Sequence, residues 1–160
     1  MATGKPMPDP VSPEGIDCSD WFKQLQGMKF WDHIDVLAAE YTMVSRRRSL
    51  GGQLDLLCRY TSPKTGKTTT ELIDLKTRSA SWKGPNKDDI DAYKKQAGGY
   101  HYLLDSGDEA HGGCWVDSAR ILVITPTQVK WLPAFDLKDC SLAWLDCWER
   151  YSAYLAPNPF

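Results

Sequence analysis

Residues 51–77, GGQLDLLCRYTSPKTGKTTTELIDLKT, contain two β-rich runs joined by a short polar segment. The joining segment, SPKTGK, holds the proline and glycine that are typical of a chain reversal. We therefore expect residues 53–60 and 68–76 to pair as an antiparallel hairpin. Each run carries an acid where a sheet would normally bury an apolar side chain, Asp55 in the first and Asp74 in the second.

Hydrophobic periodicity outside the hairpin predicts one more strand before it and several helices around it. The expected elements are a helix capped by Ser19 or Asp20, a helical turn over residues 30–36, a strand from Leu37 to Val44, a helix from Asp88 or Asp89, a strand over 119–125, a further short strand over 128–134, and a helix over 137–155. The core order α-βββ-α-β-α predicts an α/β protein with a central mixed β-sheet flanked by helices.

Length and composition limit the organisation of the chain. With 160 residues and 42% hydrophobic content, residues 16–160 are expected to form a single domain. Residues 1–15 are rich in proline and lack apolar periodicity, so we interpret them as a disordered lead rather than a targeting signal. The longest apolar runs fall short of a membrane span, which predicts no membrane association and makes a cytoplasmic location the simplest expectation.

Cysteine usage also favours a reducing compartment. The five cysteines form an odd set. Some nucleases hold an iron–sulfur cluster with four cysteines, but no C-x-x-C spacing occurs here. We therefore expect ordinary thiols.

Basic and aromatic residues near the hairpin suggest a nucleic-acid surface. The net charge of −2 does not by itself favour a polyanion, so local clusters matter more. Arg46, Arg47 and Arg48 form the densest cluster and would contact phosphates, unless they simply belong to a solvated loop. Arg78 lies close to Asp74 in the chain, and Trp82 is placed to stack on an unpaired base or to pack in the core.

The acid-x-lysine pattern at Asp74 and Lys76 is the main chemical signal. Alternate residues of a strand share one face, so these two side chains should point the same way. Asp55 would join Asp74 if the hairpin register allows, and two adjacent carboxylates require compensation. Mg²⁺ would provide this compensation, because it typically binds one or two protein carboxylates together with substrate phosphate oxygens. Lys76 would then position or deprotonate a water, the alternative being a plain ion pair on a solvent-facing sheet.

A second acid-x-lysine tripeptide and a glycine pair need separate interpretations. Asp136, two residues before Lys138, precedes an expected helix, where an acid is ordinary capping chemistry. Gln96 and Tyr100 are four residues apart and share one helix face. The glycine pair between them, residues 98–99, costs about 1 kcal/mol per glycine in a helix, which indicates close approach to a backbone or a substrate.

Four short motifs in order resemble the PD-(D/E)XK nuclease superfamily in its RecB-like exonuclease branch. They are Glu40, then Gly52-x-x-Asp55, then Asp74-x-Lys76, and then Gln96-x-x-x-Tyr100. The one departure is Leu54 before the first acid, where the family often has proline. The matching region covers residues 40–104.

This resemblance implies a restriction-endonuclease-like core and a metal-dependent DNA exonuclease, active in end processing during recombination, repair or replication. It implies Mg²⁺, replaceable by Mn²⁺, bound by Asp55, Asp74, the backbone carbonyl of Leu75 and, directly or through water, Glu40. Lys76 would be catalytic, Gln96 would hold Lys76, the metal water or a phosphate, and Tyr100 would line the DNA groove.

The alternatives are a structure-specific or restriction-like endonuclease of the same superfamily, and a non-catalytic nucleic-acid-binding module. The expected partner is DNA that is single-stranded or has free ends, and a compact chain of this size would suit a phage-encoded enzyme.

Overall fold

The protein is an α/β structure, seen in a computed structural model that describes residues 15, 17–105 and 114–155. Most of the predicted lead, residues 1–15, therefore lies outside the described residues. The helices are α1 (Ser19–Gln26), α2 (Lys87–Asp105) and α3 (Leu137–Leu155), with 3₁₀ turns at Lys29–His33 and Arg46–Arg48. The strands are β1 (Ile34–Ser45), β2 (Leu50–Thr61), β3 (Thr68–Thr77), β4 (Ser118–Ile124) and β5 (Val129–Trp131).

The strands form one five-stranded mixed sheet in the order β1-β2-β3-β4-β5. The pairs β1/β2, β2/β3 and β4/β5 are antiparallel, whereas β3 and β4 are parallel. A parallel pair needs a crossover connection, and α2 provides it between β3 and β4. The predicted hairpin and the predicted α/β class with a central mixed sheet are confirmed, and the further short strand expected over 128–134 is present as β5.

The sheet separates two hydrophobic layers. On one face, Leu54, Leu57 and Leu72 pack with residues of α2 and α3, including Ala97 and Cys140. On the other face, a second buried cluster packs against residues of α1 and the 3₁₀ turn that follows it. The members of that cluster are Leu56, Cys58, Ile73, Leu122 and Ile124. Within the described ranges, none of the helices is both long and apolar enough to cross a bilayer.

Two predicted boundaries near the N-terminal helix and first strand were wrong. β1 begins at Ile34 instead of Leu37, because its first three residues already pair with β2. The register then shifts between Val36 and Ala38, which marks a β-bulge. The N-cap of α1 is Cys18 rather than Ser19 or Asp20, and the carboxylate of the preceding Asp17 accepts a hydrogen bond from the Ser19 amide.

Side-chain caps fix the starts of α2 and α3. Asn86 and Asp89 exchange two hydrogen bonds, in which each side chain accepts from the other residue's backbone amide at 2.8 and 3.0 Å. This reciprocal arrangement satisfies amides that the helix itself leaves unpaired. At α3, Asp136 Oδ1 accepts from the Lys138 amide at 2.7 Å, so the predicted capping role of Asp136 is confirmed.

The glycine pair of α2 is explained by close packing on α3. A Cβ atom at Gly98 would overlap the Cys140 carbonyl oxygen and lie 2.8 Å from Cβ of Trp144. At Gly99 it would lie 3.2 Å from Cε3 of the same tryptophan. The missing side chains let the two helix backbones approach each other. The sequence predicted close approach either to a backbone or to a substrate, and the contact with the α3 backbone is the one observed. This packing of α2 on α3 fixes the position of the helix face that carries Gln96.

Candidate active site

Three predicted acids occupy one row across the sheet. The β1/β2 register pairs Ala39 with Leu56 and Tyr41 with Leu54, so Glu40 falls opposite Asp55. The β2/β3 register pairs Leu56 with Ile73, so the next opposing position joins Asp55 to Asp74. The strand pairing ends at Leu56 and Ile73, and this register brings the two aspartates that follow them to neighbouring positions, the condition under which the sequence predicted their approach.

At this row, a side-chain hydrogen bond replaces the backbone hydrogen bonding between β2 and β3. Asp55 Oδ2 accepts a hydrogen bond of 2.6 Å from the Leu75 backbone amide, beyond the last paired residues of the two strands. A carboxylate thus takes the place that a backbone carbonyl would hold in a continuing ladder. This contact directs the Asp55 carboxylate towards the β3 backbone next to Asp74, and its other oxygen accepts no hydrogen bond from the described residues.

Asp74 is a buried acid whose charge is only partly compensated. Its residue is 4% exposed. Lys76 Nζ donates to Oδ1 at 3.0 Å and lies 2.8 Å from Oδ2. Only Oδ1 has the geometry of a hydrogen bond with this ammonium, whereas the buried Oδ2 has the ammonium as an ion-pair partner and accepts no hydrogen bond from the described residues. Burial raises the pKa of the Asp74 carboxyl, against the hydrogen bond and charge of Lys76, and the negative charge of Asp55 raises it further.

Lys76, Gln96 and Tyr100 form a hydrogen-bonded chain that leads away from Asp74. Lys76 Nζ donates to Gln96 Oε1 at 2.9 Å, and Gln96 Nε2 donates to the Tyr100 hydroxyl at 2.8 Å. The ammonium has only donors, so the amide must present its oxygen to Lys76 and its nitrogen to Tyr100. We call Asp74, Lys76, Gln96 and Tyr100 the relay. The structure brings together these four predicted residues, with Asp55 beside them.

Glu40 lies in the same row but is directed elsewhere. Its backbone has a left-handed conformation with φ of 49°, which is uncommon for a glutamate. Its exposed carboxylate accepts a hydrogen bond of 2.9 Å from Gln53 Nε2. The positive φ breaks the strand alternation, so the face of Glu40 could not be deduced from spacing. Glu40 therefore stands outside the relay in this structure.

The predicted DNA-contacting residues are spread around the site. Arg46, Arg47 and Arg48 are exposed in the 3₁₀ turn before β2, and the Arg48 guanidinium lies 5.5 Å from the Tyr102 ring centroid on α2. Trp82 is partly buried and packs against the core, with Lys130 Nζ 5.8 Å from its ring centroid. Its placement agrees with the packing alternative considered for it.

Arg78 and the unpredicted Tyr93 extend the site on its α2 side. Arg78 donates to the Tyr93 hydroxyl at 2.7 Å, and Lys76 Nζ lies 5.7 Å from the Tyr93 ring centroid. Tyr93 is three residues before Gln96 and so lies on the same helix face. That spacing was visible in the sequence and could have identified it.

Glu71 also lies on β3, but its side chain is on the opposite face of the sheet from the relay. It pairs with Arg120 at 3.2 Å, and the Arg120 guanidinium also lies 4.3 Å from the Trp131 ring centroid. Cys58 is buried in the same region, where burial raises the pKa of its thiol to about 12. A neutral thiol next to an ion pair is a structural arrangement, and the sheet lies between Glu71 and the relay.

The residues present fit a cation that takes few protein ligands. No group of three or more His, Cys, Asp or Glu side chains within the described ranges is arranged to hold a metal ion. Mg²⁺ needs only one or two carboxylates, because waters and substrate phosphates complete its shell. Asp74 has a single ammonium as its counter-ion and the like charge of Asp55 nearby, so a divalent cation would supply the positive charge that these two acids lack.

Comparison with known proteins adds no relative to this picture. No protein-family model matches the chain, and no curated protein sequence matches it. The resemblance to the PD-(D/E)XK superfamily therefore rests on the short motifs of the chain's own sequence.

Proposed function

We propose that this chain is a metal-dependent DNA exonuclease that hydrolyses phosphodiester bonds at strand ends. The observation that carries the proposal is the buried Asp74 carboxylate, joined through Lys76 and Gln96 to Tyr100. A lysine held at both sides by fixed partners is pre-positioned for a reacting group, at a low entropic cost. The choice of exonuclease over endonuclease rests on the family resemblance alone.

Asp55, Asp74 and the Leu75 carbonyl would hold the Mg²⁺ ion, which Mn²⁺ would replace. When bound, the ion supplies Lewis-acid polarisation of the phosphodiester and lowers the pKa of a coordinated water. Without the cation, the two neighbouring carboxylates have only the Lys76 ammonium to balance their negative charge. The raised pKa of Asp74 supports this assignment, because a group destabilised in its charged form gains most from a cation.

The remaining chemistry belongs to Lys76 and Tyr100. The Lys76 ammonium has three donors, and two of them are directed to Asp74 Oδ1 and Gln96 Oε1. The third can donate to a phosphate oxygen or to the attacking water. The Tyr100 hydroxyl accepts from Gln96, so its own proton is available to a second phosphate oxygen. Both donors would stabilise negative charge that grows in the transition state.

Cleavage of end-labelled oligonucleotides in Mg²⁺, Mn²⁺ or Ca²⁺ tests the proposal. The wild-type protein should give a progressive ladder of shortened products from linear DNA, and Asp74→Asn should abolish it. The matched control is Asp146→Asn, which removes an exposed acid paired with Arg150 on α3 and should leave cleavage unchanged. Full activity in Asp74→Asn would refute the assignment. Cleavage of closed circular DNA would instead indicate an endonuclease.

A non-catalytic DNA-binding module is the second candidate. It is favoured by the 2.8 Å approach of Lys76 to Asp74, which already neutralises part of the acid, and by the engagement of Glu40 with Gln53. This alternative predicts that the protein binds oligonucleotides but leaves them intact in all three metals.

A further inference from the structure

A cavity next to the relay has no role in the chemistry described above. It has a volume of about 170 Å³ and lies between the start of β2 and the packed helices α2 and α3. Its walls include Leu50, Gly52, Gln96, Gly99, Tyr100 and Trp144. Three distant parts of the chain thus meet around one space, and two of the six residues are members of the relay.

The walls of this cavity suit a flat ring. Trp144 and Tyr100 contribute aromatic surface, while Gly52 and Gly99 contribute bare backbone. A Cβ atom at Gly52 would lie 3.1 Å from Cε1 of Tyr100, and one at Gly99 would lie 3.2 Å from Cε3 of Trp144. Side chains at either position would press on the aromatic walls. The volume is below the roughly 300–1,000 Å³ of sites for drug-sized ligands, which limits a ligand held there to a small group.

Basic residues lie on the cavity wall and in the turn that precedes it in the chain. Lys95 lines the cavity, although its ammonium is 2.6 Å from the Asp91 carboxylate. The exposed arginines at residues 46–48 precede Leu50 by only two positions at their nearest. A ligand with an apolar flat part and attached phosphates would therefore find both kinds of contact within a short distance.

We propose that the cavity binds one unpaired nucleobase of the DNA strand on which the site acts. The inference rests on the proposed function, because Gln96 and Tyr100 face both the cavity and the reacting group. A base held there would fix the position of its strand relative to Lys76. Stacking on aromatic side chains tolerates every base, so the cavity would select for a single strand and not for a sequence.

The test uses single-stranded oligonucleotides with one abasic residue placed at successive positions. Binding is followed by fluorescence anisotropy in Ca²⁺, and cleavage is followed in Mg²⁺. With the wild-type protein, the abasic residue should weaken binding at one position by roughly 5- to 150-fold, the range expected for one stacked base. At the other positions the effect should be small.

Two variants assign that effect to the cavity. Gly52→Ala pushes a methyl group towards Tyr100 and Leu103, and Trp144→Leu removes the indole; each should lose most of the abasic difference. Gly27→Ala is the matched control, since Gly27 ends α1 and is not part of the cavity wall, and its Cβ would meet only Lys23 O at 3.5 Å and Gln24 O at 3.9 Å, in ordinary contact. Thermal melting confirms that each variant is folded.

The outcomes separate this inference from the proposed function. If the abasic residue has no effect at any position, or if both cavity variants keep the full effect, the base site is refuted while cleavage stays intact. If the wild-type protein neither binds nor cuts DNA, the proposed function is refuted and the base site with it.

Discussion

At the scale of single residues, Lys76 has two separable roles, since it neutralises Asp74 and also presents a donor to the substrate. Side-chain exposures of 20% for Lys76 and 5% for Asp74 mean that the pair is shielded from water. Removal of one partner from such a pair leaves an uncompensated buried charge. The structural role should therefore show as a loss of stability, and the catalytic role as a loss of cleavage.

The variant Lys76→Met should lower the free energy of unfolding by about 2 kcal/mol and reduce cleavage by about 10²- to 10⁴-fold. Adding Asp74→Asn should restore the stability, because no buried charge remains, but not the activity. Urea denaturation and the oligonucleotide assay measure the two effects. Recovery of cleavage in the double variant would contradict a catalytic role for Lys76.

Sequence periodicity predicted the two halves of the relay, and their meeting through Lys76 and Gln96 was an implication of the family resemblance. A period of two along β3 places Asp74 and Lys76 on one face, and a separation of four along α2 does the same for Gln96 and Tyr100. Glu40 could not be placed in this way, because its positive φ has no periodic signature. Only the pairing of β1 with β2 shows that Glu40 shares the row of acids but turns to Gln53.

At the scale of secondary-structure elements, the packing of α2 on α3 determines where the relay lies relative to the sheet. The sequence indicated that the glycines of α2 serve a close approach, but one helix pattern cannot show whether the neighbour is protein or substrate. The answer requires the tertiary arrangement, in which Gly98 touches the backbone of Cys140.

Gly98→Ala should destabilise the protein by about 1–3 kcal/mol, because overlap with a backbone carbonyl outweighs the gain of about 1 kcal/mol in helix propensity. Gly27→Ala is the control. Gly27 ends α1 in a right-handed conformation, and its Cβ would lie 3.5 Å from the nearest neighbour, so a neutral or slightly stabilising effect is expected. Thermal melting of both variants measures the difference, and equal melting temperatures would contradict the packing explanation.

A hydrogen bond that links β3 to the residue before β4 makes a pH-dependent contribution to the stability of the fold. Asp117, just before β4, accepts a hydrogen bond of 2.7 Å from the Thr70 amide, and this bond chiefly lowers the pKa of its carboxyl below 3.8. A lowered pKa means that the charged form is stabilised by folding. The contribution is therefore complete above the ordinary pKa and is lost as pH falls through the lowered value.

Asp117→Asn should accordingly lower stability by less than about 1 kcal/mol at pH 7, because the exposed group is screened by water. The difference from the wild-type protein should shrink as the pH falls below 3.8. Urea denaturation at pH 7, 5 and 3 measures it. A difference that grows towards pH 3 would show that the sign is wrong.

At the scale of the whole molecule, the sheet separates a face with the candidate chemistry from a face with the Glu71–Arg120 ion pair. The mixed sheet and the hairpin followed from strand patterns, turn residues and helix spacing in the sequence. The cavity did not, since its walls at Leu50 and Trp144 are far apart in the chain and meet only in the folded protein.

Charge on the surface should appear as salt-dependent DNA binding. Replacing Arg46, Arg47 and Arg48 by glutamine should reduce the slope of log affinity against log salt by about 2 if all three contact phosphates of a single strand. Replacing Lys64 and Lys67, at the far end of the β2/β3 hairpin, should leave the slope unchanged. Equal slopes for the arginine variant and the wild-type protein would place DNA elsewhere.

The central claim is that the carboxylates of Asp55 and Asp74 share a divalent cation beside Lys76. Anomalous diffraction from a crystal soaked in Mn²⁺ measures this directly. The account predicts a single strong peak between the two carboxylates and within reach of the Leu75 carbonyl. A map without that peak, with Asp74 still paired only to Lys76, would contradict it.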